Sequence, residues 1–96
     1  MSNEKEYDSI LGEAYAVNIL IFLFDRGSAV ATDMRAVASN YNTIVKVARK
    51  LEDQGLLNIS VVTSPRVTHT YRLTEKGKLV AEKLKEIETI ININGL

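Results

Sequence analysis

Between residues 13 and 25 only Asn18 interrupts the apolar runs Ala14-Tyr15-Ala16-Val17 and Ile19-Leu20-Ile21-Phe22-Leu23-Phe24. This density predicts a helix over 9–25 that is apolar around most of its circumference. Such a helix must be covered on more than one side, because leaving half of it wet exposes an unusually large apolar patch. The domain core covers one side, and a second subunit or the C-terminal helix covers the other. The eleven residues from Ala14 to Phe24 are too few to span a bilayer. Arg26-Gly27-Ser28 breaks the pattern, 29–31 suits one short strand, and Thr32 or Asp33 is placed to cap a second helix. In that helix Met34, Val37 and Ala38 recur at helical spacing and face inward, leaving Arg35 outward.

After a turn at Ser39-Asn40, residues 41–54 carry Ile44, Val47, Ala48 and Leu51 on one stripe. Asn42, Thr43, Lys46, Arg49, Lys50 and Asp53 therefore take the other faces. Gly55 supplies the left-handed residue that ends a helix, and Leu56-Leu57 leads straight into a strand. Leu57, Ile59 and Val61 alternate with Asn58, Ser60 and Val62, and 67–73 alternates likewise, as half-buried strands do. Ser64-Pro65-Arg66 is the tight link between them. Tyr71 and Leu73 then share the core face with Ile59 and Leu57, with His69 on that side nearer the tip. Thr74 is an N-cap and Glu75 lies in the first turn, where the helix dipole favours an anion. Val80, Leu84, Ile87 and Ile91 follow at spacings of four, three and four, a heptad-type seam that the asparagines and glycine of 92–95 end.

Ninety-six residues, 46 % of them hydrophobic, make one domain near the size where a single core is sufficient but not generous. Twelve acidic and twelve basic side chains cancel, so net charge does not indicate a nucleic-acid or membrane-surface partner. Their distribution is more informative. Residues 33–78 hold eight basic residues (Arg35, Lys46, Arg49, Lys50, Arg66, Arg72, Lys76, Lys78) against four acidic ones, an excess of four that the flanks offset. A basic centre with acidic ends suits a face shown to phosphate, and equally a scatter of solvated cations. With no cysteine, disulfides, thiolate metal sites and cysteine nucleophiles are excluded. The N-terminal Met-Ser-Asn-Glu-Lys-Glu-Tyr-Asp has no charged-then-apolar leader pattern, so a cytoplasmic protein is expected.

The stretch 49–77 carries a family signature: a helix end Arg49-Lys50-Leu51-Glu52-Asp53-Gln54-Gly55-Leu56-Leu57, two short strands, then Tyr71-Arg72-Leu73-Thr74-Glu75-Lys76-Gly77. With the helices upstream it resembles the winged helix-turn-helix transcriptional regulators of archaea and bacteria, in the neighbourhood of the MarR-like, ArsR-like and PadR-like families, over roughly residues 20–84. The resemblance implies an α+β fold with a three-helix core, a β-hairpin wing and a long C-terminal dimerisation helix. The single domain 1–96 divides into 9–73, helices and wing, and 74–94, the dimerisation helix.

In such proteins the helix matching 41–54 lies in the major groove, which makes Asn42, Thr43, Lys46 and Arg49 the expected readers of double-stranded DNA. Arg35 and Lys50 join them as DNA contacts, and Arg66 at the wing tip is expected in or beside the minor groove, where negative potential is enhanced. The chemistry is adequate: asparagine pairs with adenine, arginine and lysine take guanine acceptors, and threonine offers hydroxyl or methyl. Every amphipathic helix has a polar face, so the order of elements carries this reading. Val45 departs from it, as a small polar residue is more usual beside the groove; it meets a thymine methyl or packs on Tyr41. Lys76 and Lys78 either reach the DNA backbone or stay solvated.

His69 is the sole histidine and makes a poor metal site without cysteine or a carboxylate cluster. A structural or wing-surface role is expected of it. No spacing supports a nucleophile and base, and Glu82 and Glu86 alternate with Lys83 and Lys85 as a solvated face does. The chain is therefore expected to be no enzyme and to need no metal or cofactor, and no residue cluster marks an effector site. The C-terminal seam either packs against 9–25 within the subunit or pairs with its counterpart. The excess apolar surface of the first helix and a last helix of about 30 Å favour a homodimer through Tyr15, Ile19, Val80, Leu84, Ile87 and Ile91. Two reading helices about a two-fold axis imply a pseudo-palindromic operator. The alternative is a winged helix that binds protein rather than DNA, which the zero net charge and small wing favour.

Overall fold

The computed structural model describes residues 8–95; the N-terminal stretch expected to lack a leader pattern lies, up to Tyr7, outside the described residues. The backbone of 9–25 is not one helix. Ser9 Oγ accepts the Leu11 N–H at 3.1 Å and starts a single 3-10 turn, Ile10–Gly12. Glu13 is extended and Tyr15 is left-handed at φ 67°, a conformation that no α-helix accommodates. Helix α1 begins only at Ala16 and runs Ala16–Arg26. The apolar density of 14–24 records burial, and the Tyr15 dihedral interrupts the helix regardless.

Gly27, at φ 88°, closes α1 with its N–H on the Leu23 carbonyl at 2.8 Å, and Ser28–Val30 forms strand β1. The expected second helix contracts to one 3-10 turn, Asp33–Ala36. Asp33 does not cap it: its Oδ2 turns back to accept the Val30 N–H at 3.1 Å and to meet Arg26 at 3.2 Å. Thr32, the other candidate cap, makes no capping bond. Met34 is nonetheless fully buried, with Val37 and Ala38 packed against the core as expected.

Helix α2 spans Tyr41–Asp53. Asn40, expected only as a turn residue, is its N-cap: Oδ1 accepts the Thr43 N–H at 3.3 Å. At the other end Gly55 is left-handed at φ 79°. Gly55 N–H bonds the Glu52 carbonyl at 2.9 Å and Leu56 N–H the Leu51 carbonyl at 3.0 Å, which satisfies the last carbonyls of α2. Strands β2 (Leu57–Val62) and β3 (Thr68–Leu73) form the hairpin. Leu57 stands opposite Leu73, Ile59 opposite Tyr71 and Val61 opposite His69. Strand β1 pairs the free edge of β3, with Ala29 opposite Tyr71, so β3 is central in the order β1-β3-β2. Helix α3, Glu75–Ile91, packs on α1, starting from the expected cap: Thr74 Oγ1 accepts the Gly77 N–H at 2.9 Å. Its 17 residues reach about 25 Å.

The core gathers Ala16, Ile19, Leu20 and Leu23 of α1, the inner stripe of α2, Leu57, Tyr71 and Leu73 of the sheet, and Ala81 and Leu84 of α3. Each fully buried Leu or Ile there contributes about 1.5–3 kcal/mol. Of the residues expected at a dimer contact, Ile19 is 0 % and Leu84 7 % exposed within the single chain, so both pack chiefly into the subunit's own core. Tyr15, Ile87 and Ile91 are exposed, and Val80 is half-buried.

Candidate nucleic-acid interface

Helix α2 turns Ile44, Val47, Ala48 and Leu51 into the core. This fixes Asn42, Lys46 and Arg49 at the middle of the opposite face, all exposed, with Thr43 and Val45 half-buried on its flanks. The Asn40 cap also leaves the helix N-terminus open at the surface, where backbone N–H groups and the helix dipole favour an anion.

The cations expected to contact DNA differ in their surroundings. Among the described residues Arg35, Lys46 and Arg66 form no ion pair. Arg49 lies 3.7 Å from Glu52, whose other oxygen accepts the Ile59 N–H at 3.3 Å. Lys50 is held by Glu13 at 3.0 Å. Arg35 borders a small hollow with Ala31, Thr32 and Tyr41, so it flanks the start of α2. Arg66 lies in the turn between β2 and β3, away from the α2 set, with the exposed Val61, Val62 and Val67 around it. Arg72, part of the basic centre by count, belongs to the sheet face turned away from the core, opposite Asn58 and Ser28.

Lys76 and Lys78 have definite partners. Lys76 Nζ donates to the Gln54 carbonyl at 3.0 Å, completing the C-terminus of α2, and Lys78 donates to Glu75 at 3.3 Å. His69 is half-buried in the sheet and its carbonyl accepts the Ala31 N–H at 3.2 Å. Among the described residues no group of three or more His, Asp or Glu side chains is placed to hold a metal.

Two features of the interface escape a sequence reading. Glu13 reaches Lys50 across 37 positions, and the Tyr41 and Tyr71 hydroxyls bond at 2.9 Å. Burial, with the Tyr41 hydrogen bond and charge adding to it, pushes the Tyr71 phenol well above the usual tyrosine range, while Arg49 pulls the other way. The asparagine before α2 is the one missed signal that local rules contain, since Asn is a preferred N-cap.

A helix with an exposed polar face, followed by a hairpin and backed by two further helices, defines a winged helix-turn-helix protein, a DNA-binding class of transcription regulator. Residues 10–95 match the HxlR-like helix-turn-helix family, and the chain belongs to that family. No comparison assigns it to the MarR-, ArsR- or PadR-like groups. Its fold is similar to that of a transcriptional regulator homologue protein from Pyrococcus horikoshii OT3, with a TM-score of 0.76 and 24 % identity over 98 % of this chain and 96 % of that one. It is also similar to the reduced form of the transcriptional regulator YodB from B. subtilis, with a TM-score of 0.67 and 18 % identity over 93 % of this chain and 88 % of that one. None of the curated proteins compared matches the chain. No helix among the described residues is long and apolar enough to cross a membrane.

Proposed function

We propose that the protein regulates transcription as a homodimer on a pseudo-palindromic operator in duplex DNA. The observation that carries this reading is the outer face of α2, where Asn42 and Lys46 stand exposed on a helix-turn-helix scaffold. Laid in the major groove, α2 offers Asn42 to adenine, Lys46 and Arg49 to guanine acceptors, and Thr43 to a thymine methyl or a base edge. Arg35 and Lys50 meet phosphates, and Arg66 enters the minor groove. The exposed Tyr15, Ile87 and Ile91, with Val80 beside them, supply the contact between subunits. The two-fold axis then sets the half-sites about 34–36 Å apart.

A protein-binding role is the second reading, favoured by three exposed wing valines beside one arginine. Binding to a labelled mixed-sequence duplex across a salt series separates the two, since log K falls by about 0.9 per decade of salt for each phosphate neutralised. A slope worth several phosphates, lost on Lys46→Ala with Arg49→Ala, supports DNA recognition by α2. No binding at low salt, or full affinity in the double variant, defeats it.

A further inference from the structure

We propose that the groove between residues 13–14 and α2 is a seat for one backbone phosphate of the bound duplex, and that Glu13 occupies it at Lys50 until DNA replaces it. This rests on the DNA-binding reading above. The groove encloses about 490 Å³. Ala14, Val45 and Val47 give it apolar walls, and Lys46 and Lys50 line it together with Glu13. A deoxyribose phosphate needs both kinds of surface: an apolar one for the sugar and cations for the diester. In the free protein the Glu13 carboxylate, 3.0 Å from Lys50 Nζ, stands where the phosphate oxygen would be.

Glu13 is placed there by its backbone. Its N–H bonds the Ile10 carbonyl and its carbonyl accepts the Ala16 N–H, each at 3.1 Å, and the left-handed Tyr15 turns the chain into α1 just beyond it. Glu13 and Lys50 side chains are 38 % and 54 % exposed, and an ion pair this accessible opposes exchange only weakly. DNA arriving at Lys50 displaces a carboxylate of the protein rather than a cation from the DNA alone, so the seat is a built-in competitor that lowers affinity for every duplex.

The test compares wild type, Glu13→Gln, Lys50→Gln and the double variant on a fluorescein-labelled mixed-sequence duplex between low and moderate salt, with circular dichroism confirming the fold of each. Freed from Glu13, Lys50 engages phosphate without competition, so Glu13→Gln binds about threefold or more tighter at low salt. In the Lys50→Gln background the same change has no such effect. Equal affinity in wild type and Glu13→Gln overturns the proposal, and so does a gain that persists without Lys50, because that gain is long-range repulsion and not a seat. If neither wild type nor Glu13→Gln binds duplex at the lowest salt, the DNA-binding reading falls and takes this one with it. Binding that ignores Glu13 defeats the seat alone.

Discussion

The hydroxyls of Tyr41 and Tyr71 lie 2.9 Å apart, joining the first residue of α2 to the central strand of the sheet. Tyr71 is 1 % exposed and stands in register between Ala29 of β1 and Ile59 of β2, while Tyr41 is half-buried at the start of α2. The hydroxyl pair therefore ties the N-terminus of α2 to the hairpin that carries Arg66. One buried ring, Tyr71, joins the two elements.

That ring makes stability depend on alkaline pH. The folded chain holds the Tyr71 proton more tightly than the unfolded chain does. Its contribution is complete below the ordinary tyrosine pKa of about 10 and is lost as pH rises from there toward the raised folded value. Above about pH 10, wild type should lose about 1.4 kcal/mol per pH unit more than Tyr71→Phe, which has no proton to lose. Urea unfolding of both proteins across this range measures it, and parallel curves would refute the coupling.

Thr74 connects the end of α2 to the start of α3. Its Oγ1 accepts the Gly77 N–H at 2.9 Å and donates to the Gly55 carbonyl at 2.6 Å. Thr74→Ala removes the cap and a hydrogen bond to the solvent-exposed Gly55 carbonyl, which should cost about 1 kcal/mol. Thr74→Ser keeps the oxygen and should recover most of that in urea midpoints. Serine no better than alanine would mean that the methyl, and not the cap, matters.

At Gly77 propensity and packing oppose each other. Alanine in a helix gains about 1 kcal/mol over glycine, so local rules alone make Gly77→Ala stabilising. A Cβ there would run into the Leu56 carbonyl and lie 3.2 Å from Leu73 Cδ2. We expect the backbone clash to win, with a loss of more than about 2 kcal/mol by chemical denaturation. A rise in stability would show that α3 lifts off Leu56 freely.

What the sequence disclosed follows how local each cause is. The α2 stripe, the alternation of β2 and β3 near Leu57, Ile59, Tyr71 and Leu73, the Gly55 stop and the Thr74 cap all depend on residues within a few positions, and each is legible, whereas Val61 is exposed toward the hairpin tip. The outward set Asn42, Thr43, Lys46 and Arg49 follows directly from the stripe. Tyr15 is not legible, because nothing in its neighbours marks a left-handed tyrosine. Nor is the contracted second helix, whose Asp33 bonds back to Val30 and Arg26 instead of capping it. What Lys50 and Lys76 touch depends on partners 37 and 22 positions away. The burial of Ile19 is not legible for a related reason: on a helix apolar nearly all round, periodicity cannot distinguish the side facing its own core from any other side.

The C-terminal part of α3 gives the sharpest test of assembly. Leu84 is its last buried residue, and beyond it Ile87, Ile90, Ile91 and Ile93 are 49 %, 59 %, 67 % and 46 % exposed. So many isoleucines in one short stretch make an apolar surface that water disfavours and a second copy would cover. Ile87 and Ile91 continue the stripe of Val80 and Leu84, whereas Leu79, 63 % exposed, lies off it. We expect Ile87→Glu with Ile91→Glu to halve the mass in light scattering while leaving the helical signal intact, and Leu79→Glu to leave the mass unchanged. The monomer retains one reading helix per particle, so operator affinity should fall about a hundredfold or more as the linked second half-site is lost. A wild-type chain that already scatters as a monomer at micromolar concentration removes the dimer. An unchanged mass in the double variant moves the contact away from this stripe.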